Sequence, residues 1–286
     1  MDKKKPLALA QVLNLATTYE LRTGVRLLFE SRMPDAERIA TAISLIPLLA
    51  AKQAPLARGI IRLFPNSDRA YLWWRLYVNT KAKADLNEAE ASYKLYLPHQ
   101  GLRSRMPDRD ALASALATCA IKEMTPSDIG ALRRGLNDIK HDDLRQETAV
   151  LVGLAPAPKP EMTPIYDAAT REGLLTGYRT NIETLLAKAS PEPWLVLNDL
   201  GEIALLGATN EATAALESGS KIAAKIGLKE VPDFVDYVYM CAIRGVLNQR
   251  NVAQACSYAD KIRSPGTKAI AYVRIGLAVS TQRSAN

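Results

Sequence analysis

Along the chain, apolar residues recur every three to four positions and nowhere alternate in twos for the length of a strand. Leu9, Val12, Leu13, Ala16, Leu21, Val25 and Leu28 fall at that spacing. The spacing predicts an amphipathic helix over residues 6–31, because 3.6 residues per turn bring them to one face. Arg32-Met33-Pro34-Asp35 then interrupts, and a new helix begins. Proline in a first turn gives up no hydrogen bond, and Asp35 and Glu37 meet the positive end of the helix dipole. The same four residues return as Arg105-Met106-Pro107-Asp108 ahead of the Ala-rich stretch 111–120, a weak internal repeat. Further segments open at Pro55, Pro126, Pro164, Pro193, Pro232 and Pro265. β-branched residues are scattered through these segments instead of clustering, so none reads as a strand. The predicted fold class is all-α, built of stacked antiparallel helical hairpins.

Helical periodicity fails in one place. Leu154-Ala155-Pro156-Ala157-Pro158-Lys159-Pro160-Glu161 carries closely spaced prolines that favour an extended, semi-rigid segment. It divides the chain into an expected N-terminal helical lobe (1–153), a proline-rich linker (154–164) and a C-terminal helical lobe (165–286).

Within the first lobe, residues 70–98 read as a helix, a turn and a second helix. Trp73, Leu76 and Tyr77 share one helix face, and the small Ala89 on the next helix lets the backbones approach before Tyr93 and Tyr96 fill the space. The pattern Trp73-x2-Leu76-Tyr77-x2-Thr80, Ala89-x3-Tyr93, Pro98 resembles the tetratricopeptide repeat, with Tyr77 where Gly is usual and Thr80 where Tyr is usual. Two looser copies follow. One is Leu197-x2-Leu200-Gly201-x2-Ala204 with Ala212-x3-Leu216, and the other is Tyr239-x2-Ala242-Ile243-x2-Val246 with Ala255-x3-Ala259. The resemblance spans about a third of the chain. It implies an α-solenoid that binds peptides or helices along a concave face, closed at its end by the helix over 267–279, since a repeat array must cover its last apolar surface.

Composition narrows the picture. Hydrophobic residues make up 48% and aromatics 6%, so the core is to be built mainly from Ala, Leu, Ile and Val. The net charge of +7 is uneven: residues 1–143 hold 22 Lys/Arg against 16 Asp/Glu, and residues 144–286 hold 15 against 14. A basic N-terminal half favours acidic partners. Cys119, Cys241 and Cys256 are odd in number and lack metal-ligand spacing, which points to a reducing compartment. The start Asp2-Lys3-Lys4-Lys5 before Pro6–Ala10 is similar to a secretory signal, but Gln11 and Asn14 break the apolar run. The expected location is cytoplasmic, or periplasmic or secreted if such a signal operates. No membrane span is expected.

Catalytic handles are scarce. The chain has two histidines, His99 and His141, and no glycine-rich nucleotide loop, nucleophile elbow or zinc-protease motif. Asp142-Asp143-x3-Glu147 resembles the magnesium-binding motif of terpenoid synthases, which implies a second acidic set. Asn198-Asp199-x2-Glu202 is the nearest candidate, and it lacks that family's hydroxyl residue and spacing. No catalytic, metal or cofactor residue is assigned.

Arginines gather instead around aromatics. Arg58, Arg62, Arg69, Arg75 and Arg105 surround Trp73, Tyr77 and Tyr93. Guanidinium forks hold carboxylates by paired hydrogen bonds and stack on rings, so these eight residues form the expected groove for an acidic or amphipathic peptide. Tyr71, Trp73, Trp74 and Tyr77 lie on one helix with the adjacent tryptophans about 100° apart, so no single buried stripe takes them all and one of the four is expected at an edge or groove. The opposing reading, core aromatics with solvated arginines, gives the same residues no binding role. The expected function is a non-catalytic interaction scaffold, adaptor or chaperone. A basic helical-repeat nucleic-acid binder is the alternative, since such an array can track a phosphate backbone; an all-α enzyme of unrecognised type is the third.

Overall fold

The computed structural model describes residues 5–96, 136–137, 145–146, 149 and 166–284. Among the described residues there are thirteen helices and no strand. They are α1 (Lys5–Leu13), α2 (Tyr19–Glu30), α3 (Asp35–Ala50), α4 (Ala54–Leu63), α5 (Asn66–Thr80), α6 (Lys83–Tyr96), α7 (Ala168–Ala187), α8 (Pro193–Leu205), α9 (Thr209–Ala214), α10 (Lys221–Ile226), α11 (Pro232–Asn248), α12 (Val252–Lys261) and α13 (Pro265–Ser284). The protein is all-α. Pro55, Pro193 and Pro232 occupy the first turns of α4, α8 and α11, and Pro265 opens α13, as expected, whereas Pro47 lies inside α3. Pro126, Pro164, the second Arg-Met-Pro-Asp copy and the linker 154–164 lie outside the described residues.

The predicted helix over 6–31 is two helices. At Thr18 the backbone is extended (φ −128°, ψ 161°) and the side chain accepts a hydrogen bond from the Leu21 amide at 3.2 Å. A threonine cap satisfies an amide that otherwise has no partner, and this local bond ends one helix and starts the next. Ala16, between them, is buried.

The chain divides into two compact units, 1–15 with 42–162, and 16–41 with 163–286. The division differs from a simple cut at the linker, because α2 and the first turns of α3 group with the C-terminal helices. The first unit packs α1 on α4, α4 on α5 and α5 on α6. α4 shows the cleanest burial, with Leu56, Ala57, Ile60 and Ile61 fully inside. α5 and α6 form the expected hairpin, and Trp73, Leu76 and Ala89 are all buried.

The second unit is a row of hairpins: α7 on α8, α8 on α9 and α11, α11 on α12, and α12 on α13. Its core includes Leu197, Leu200, Ala204 and Ala212 from α8 and α9 and Tyr239, Ala242, Ile243, Val246, Ala255 and Ala259 from α11 and α12. Glycines let the axes approach. A Cβ on Gly201 would lie 2.5 Å from Tyr237 Cε1, and one on Gly245 would lie 2.4 Å from the Ala204 carbonyl oxygen. Later residues of α8 thus meet later residues of α11, so these helices run parallel.

α13 is not a closing cap. α2 covers its other face through small residues, with a Cβ on Gly24 reaching Val273 and Ala269, and a Cβ on Gly276 reaching Leu21. Glu37 Oε1 accepts from the Gly266 amide at 3.3 Å, a carboxylate placed at the positive end of α13. The apolar end of the row is covered by a helix from far away in sequence, which local pattern reading has no means to assign.

Candidate functional site

In the first unit two arginines of the expected groove, Arg58 and Arg69, make internal fastening bonds. Arg58 donates from Nε to Asp85 Oδ1 at 2.7 Å and from Nη2 to Oδ2 at 3.1 Å. Asp85 is buried and also accepts from the Thr80 hydroxyl at 2.7 Å. These bonds tie α4 to the α5–α6 turn, where Lys81 takes a left-handed conformation (φ 54°). The bond to Asp85 raises the Arg58 pKa, against burial. Arg69 donates to the carbonyls of Phe64 (2.7 Å) and Arg62 (2.6 Å), closing the C-terminal end of α4, where cations suit the dipole.

The other members are placed as follows. Arg62 is exposed, 5.8 Å above the Trp73 ring and 3.6 Å from Glu88. Arg75 and Tyr77 are half-buried, and the Tyr77 ring lies 6.0 Å from that of Trp74. Trp73 and Trp74 are both 1% exposed, while Tyr71 and Tyr77 on the same helix are half-buried, so it is the tyrosines that lie toward an edge. α5 packs against both α4 and α6, which lets it bury both tryptophans. Tyr93 lies on α6 with its side chain outside the described residues, as are Arg105, His99, His141, Cys119 and the Asp142–Glu147 motif.

The exposed chemistry sits in the second unit. Trp194 on the first turn of α8 is 47% exposed, and Phe234 and Tyr237 on the first turns of α11 are 43% and 37% exposed. Because α8 and α11 are parallel and packed, their N-terminal turns lie side by side. Tyr237 is held against Gly201; burial first, then Cys241 and Glu202, raise its pKa, so the phenol stays protonated. From Tyr237 the same outward strip of α11 continues at helical spacing through Met240 to Arg244. The matching strip of α13 carries Ile270, Arg274 and Leu277, all half-buried.

Several acids of this unit are hydrogen-bonded internally. Asp199 is buried and accepts from Asn181 Nδ2 at 2.5 Å. Asp236 is buried and accepts from the Arg263 and Ser264 amides at 2.9 and 2.8 Å, pinning the turn before α13. Asp260 accepts from the Tyr272 hydroxyl at 2.7 Å. Burial raises the pKa of Cys241 and of Cys256, keeping both as thiols. Among the described residues no group of three His, Cys, Asp or Glu could hold a metal ion, and no helix is long and apolar enough to cross a membrane.

The face offers aromatic rings at one end and cations at the other. Sequence reasoning passed over it because Trp194 and Phe234 sit in register with buried residues of their own helices, and Arg244 and Arg274 stand alone among apolar neighbours. No family model, curated protein or solved structure matches the chain.

Proposed function

We propose that the protein is an interaction scaffold of tetratricopeptide-like character, acting without a cofactor, and that it receives an acidic, amphipathic segment of a partner protein. The observation that carries this reading is the exposed set Trp194, Phe234 and Tyr237 on adjacent parallel helices, above a strip that ends in Arg244 and Arg274. Aromatic rings contribute large contact area at low entropic cost and anchor interfaces, while arginines fix the register of an acidic chain. The α5–α6 hairpin, with Trp73, Leu76 and Ala89 inside, supports the repeat-like character and supplies framework.

Selection from a random 16-residue peptide display library on the full chain tests the proposal. Enriched peptides should combine Asp or Glu with Leu, Phe or Trp at helical spacing, and Trp194→Ala with Phe234→Ala should weaken them at least tenfold without changing the melting temperature. Absence of enrichment, or peptides indifferent to the double variant, overturns the reading. So does duplex DNA binding that persists at physiological salt, because phosphate-driven binding falls steeply as salt rises.

A further inference from the structure

Arg274 is a half-buried cation on α13, and its Nε is shut off from solvent without a hydrogen-bond acceptor. Burial, and then the charge of Arg244, lower its pKa, so the two guanidinium groups share one neighbourhood. Helix geometry agrees. Asp236 near the start of α11 holds the turn before α13, so the two helices start together and Arg244 and Arg274 lie two to three turns along each. Three acids of the second unit are engaged in hydrogen bonds, Asp236 on the Arg263 and Ser264 amides, Asp260 on Tyr272, and Asp199 on Asn181, while Glu202 shares the surroundings of Tyr237 and Cys241 with Arg244 without forming an ion pair with it. Among the described residues neither arginine forms an ion pair. Elsewhere in this protein half-buried arginines have partners, Arg58 on Asp85 and Arg38 on the carbonyls of Leu28 and Met33.

We propose that Arg244 and Arg274 form an oxyanion subsite, taking a carboxylate or phosphoryl group of the peptide segment that docks on Trp194, Phe234 and Tyr237. Two adjacent guanidinium forks present several N–H donors, no acceptor and two positive charges, a set that an oxyanion both bonds and neutralises. An oxyanion held by their outer Nη groups would neutralise their repulsion. Met240, Ile270 and Leu277, half-buried beside the pair, limit water there and strengthen a charge-assisted bond. The subsite deepens the scaffold reading and rests on it for the source of the anion, but small anions test it alone.

The experiment follows the arginine Nε–Hε signals of the full ¹⁵N-labelled chain by NMR. Glutarate and phenyl phosphate are titrated separately, against chloride at matched ionic strength. The expected result is a saturable shift of the Arg244 and Arg274 Nε–Hε signals, each assigned by its absence from its own variant, with the Arg244 shift weakened at least fivefold in Arg274→Gln and the Arg274 shift in Arg244→Gln. In Arg274→Lys, which keeps the charge and loses the fork, the Arg244 shift should be weakened as well. Whichever probe saturates at the lower concentration identifies the group as carboxylate or phosphoryl. Arg274→Gln should melt no lower than the wild type, since it removes an unpaired cation; a fall of several degrees would show that Arg274 has an internal partner and overturn the proposal. No saturable shift, or equal shifts in all variants, would also overturn it. Anion binding without selected peptides would leave the subsite standing and remove the scaffold reading, and peptides bound without an anion response would do the reverse.

Discussion

Two regions of this protein place arginines beside aromatic rings, and they use them in opposite ways. In the α4–α6 region Arg58 and Arg69 are tied to Asp85 and to carbonyls of α4, and Trp73 and Trp74 are sealed inside. On the α8–α11–α13 face the rings are exposed, and Arg244 and Arg274 form no ion pair among the described residues. The density of a residue type along the sequence therefore does not locate a site. What remains after internal bonds are formed does. A paired guanidinium must exchange one good acceptor for another to bind a partner, whereas an unpaired one gains the whole interaction.

The comparison is broken most directly by truncating one tryptophan from each region. Trp73→Ala empties a fully enclosed site and should cost about 3–5 kcal/mol of stability by urea denaturation. Trp194→Ala, at an exposed helix start, should stay within about 0.5 kcal/mol. Equal costs would erase the distinction between framework and free surface.

A smaller effect is expected at the buried carboxylate. Asp85→Ala leaves Arg58 without its partner, and Arg58 keeps 34% of its side chain exposed. The loss should be about 2–4 kcal/mol, toward the low end of what orphaning a buried charge costs, because water reaches the guanidinium. A neutral result would mean that Arg58 is available for binding after all.

The smallest effect sharpens the contrast within the second unit. Arg179 bridges Glu211, with two bonds of 2.8 Å, and Glu172 at 3.0 Å, so it is a spent arginine of the same unit. The bond to Arg179 lowers the Glu211 pKa from its ordinary 4.5, so the pair stabilises the fold above that value and stops doing so as pH falls through the lower folded value. At pH 7, Glu211→Gln should cost about 0.2–1 kcal/mol, the range of exposed pairs, and the difference from wild type should vanish in acid melts well below pH 4.5. A difference that persists there would point to packing instead of charge.

Helical class, the proline-marked starts and the buried faces followed from sequence alone, because each depends on residues within a turn or two of one another. Pro193, Pro232 and Pro265 fix where three helices open, and Leu197, Leu200 and Ala204 fix which side of α8 faces the core. A break inside 6–31 was also local, encoded in Thr18, but the continuing apolar period hid it. Tertiary structure alone decided the rest. Periodicity assigns Trp194 and Phe234 to packing faces, and they are exposed because they sit on the first turns of their helices, where burial by the neighbouring helix is incomplete. Whether an arginine is spent depends on an acid 27 residues away, as for Arg58, or on a pair of helices brought side by side, as for Arg244 and Arg274. The cover over α13 comes from α2, more than 200 residues earlier in the chain. Such partners are set by the packing of whole helices, and a local period carries no information about which distant surface will meet it.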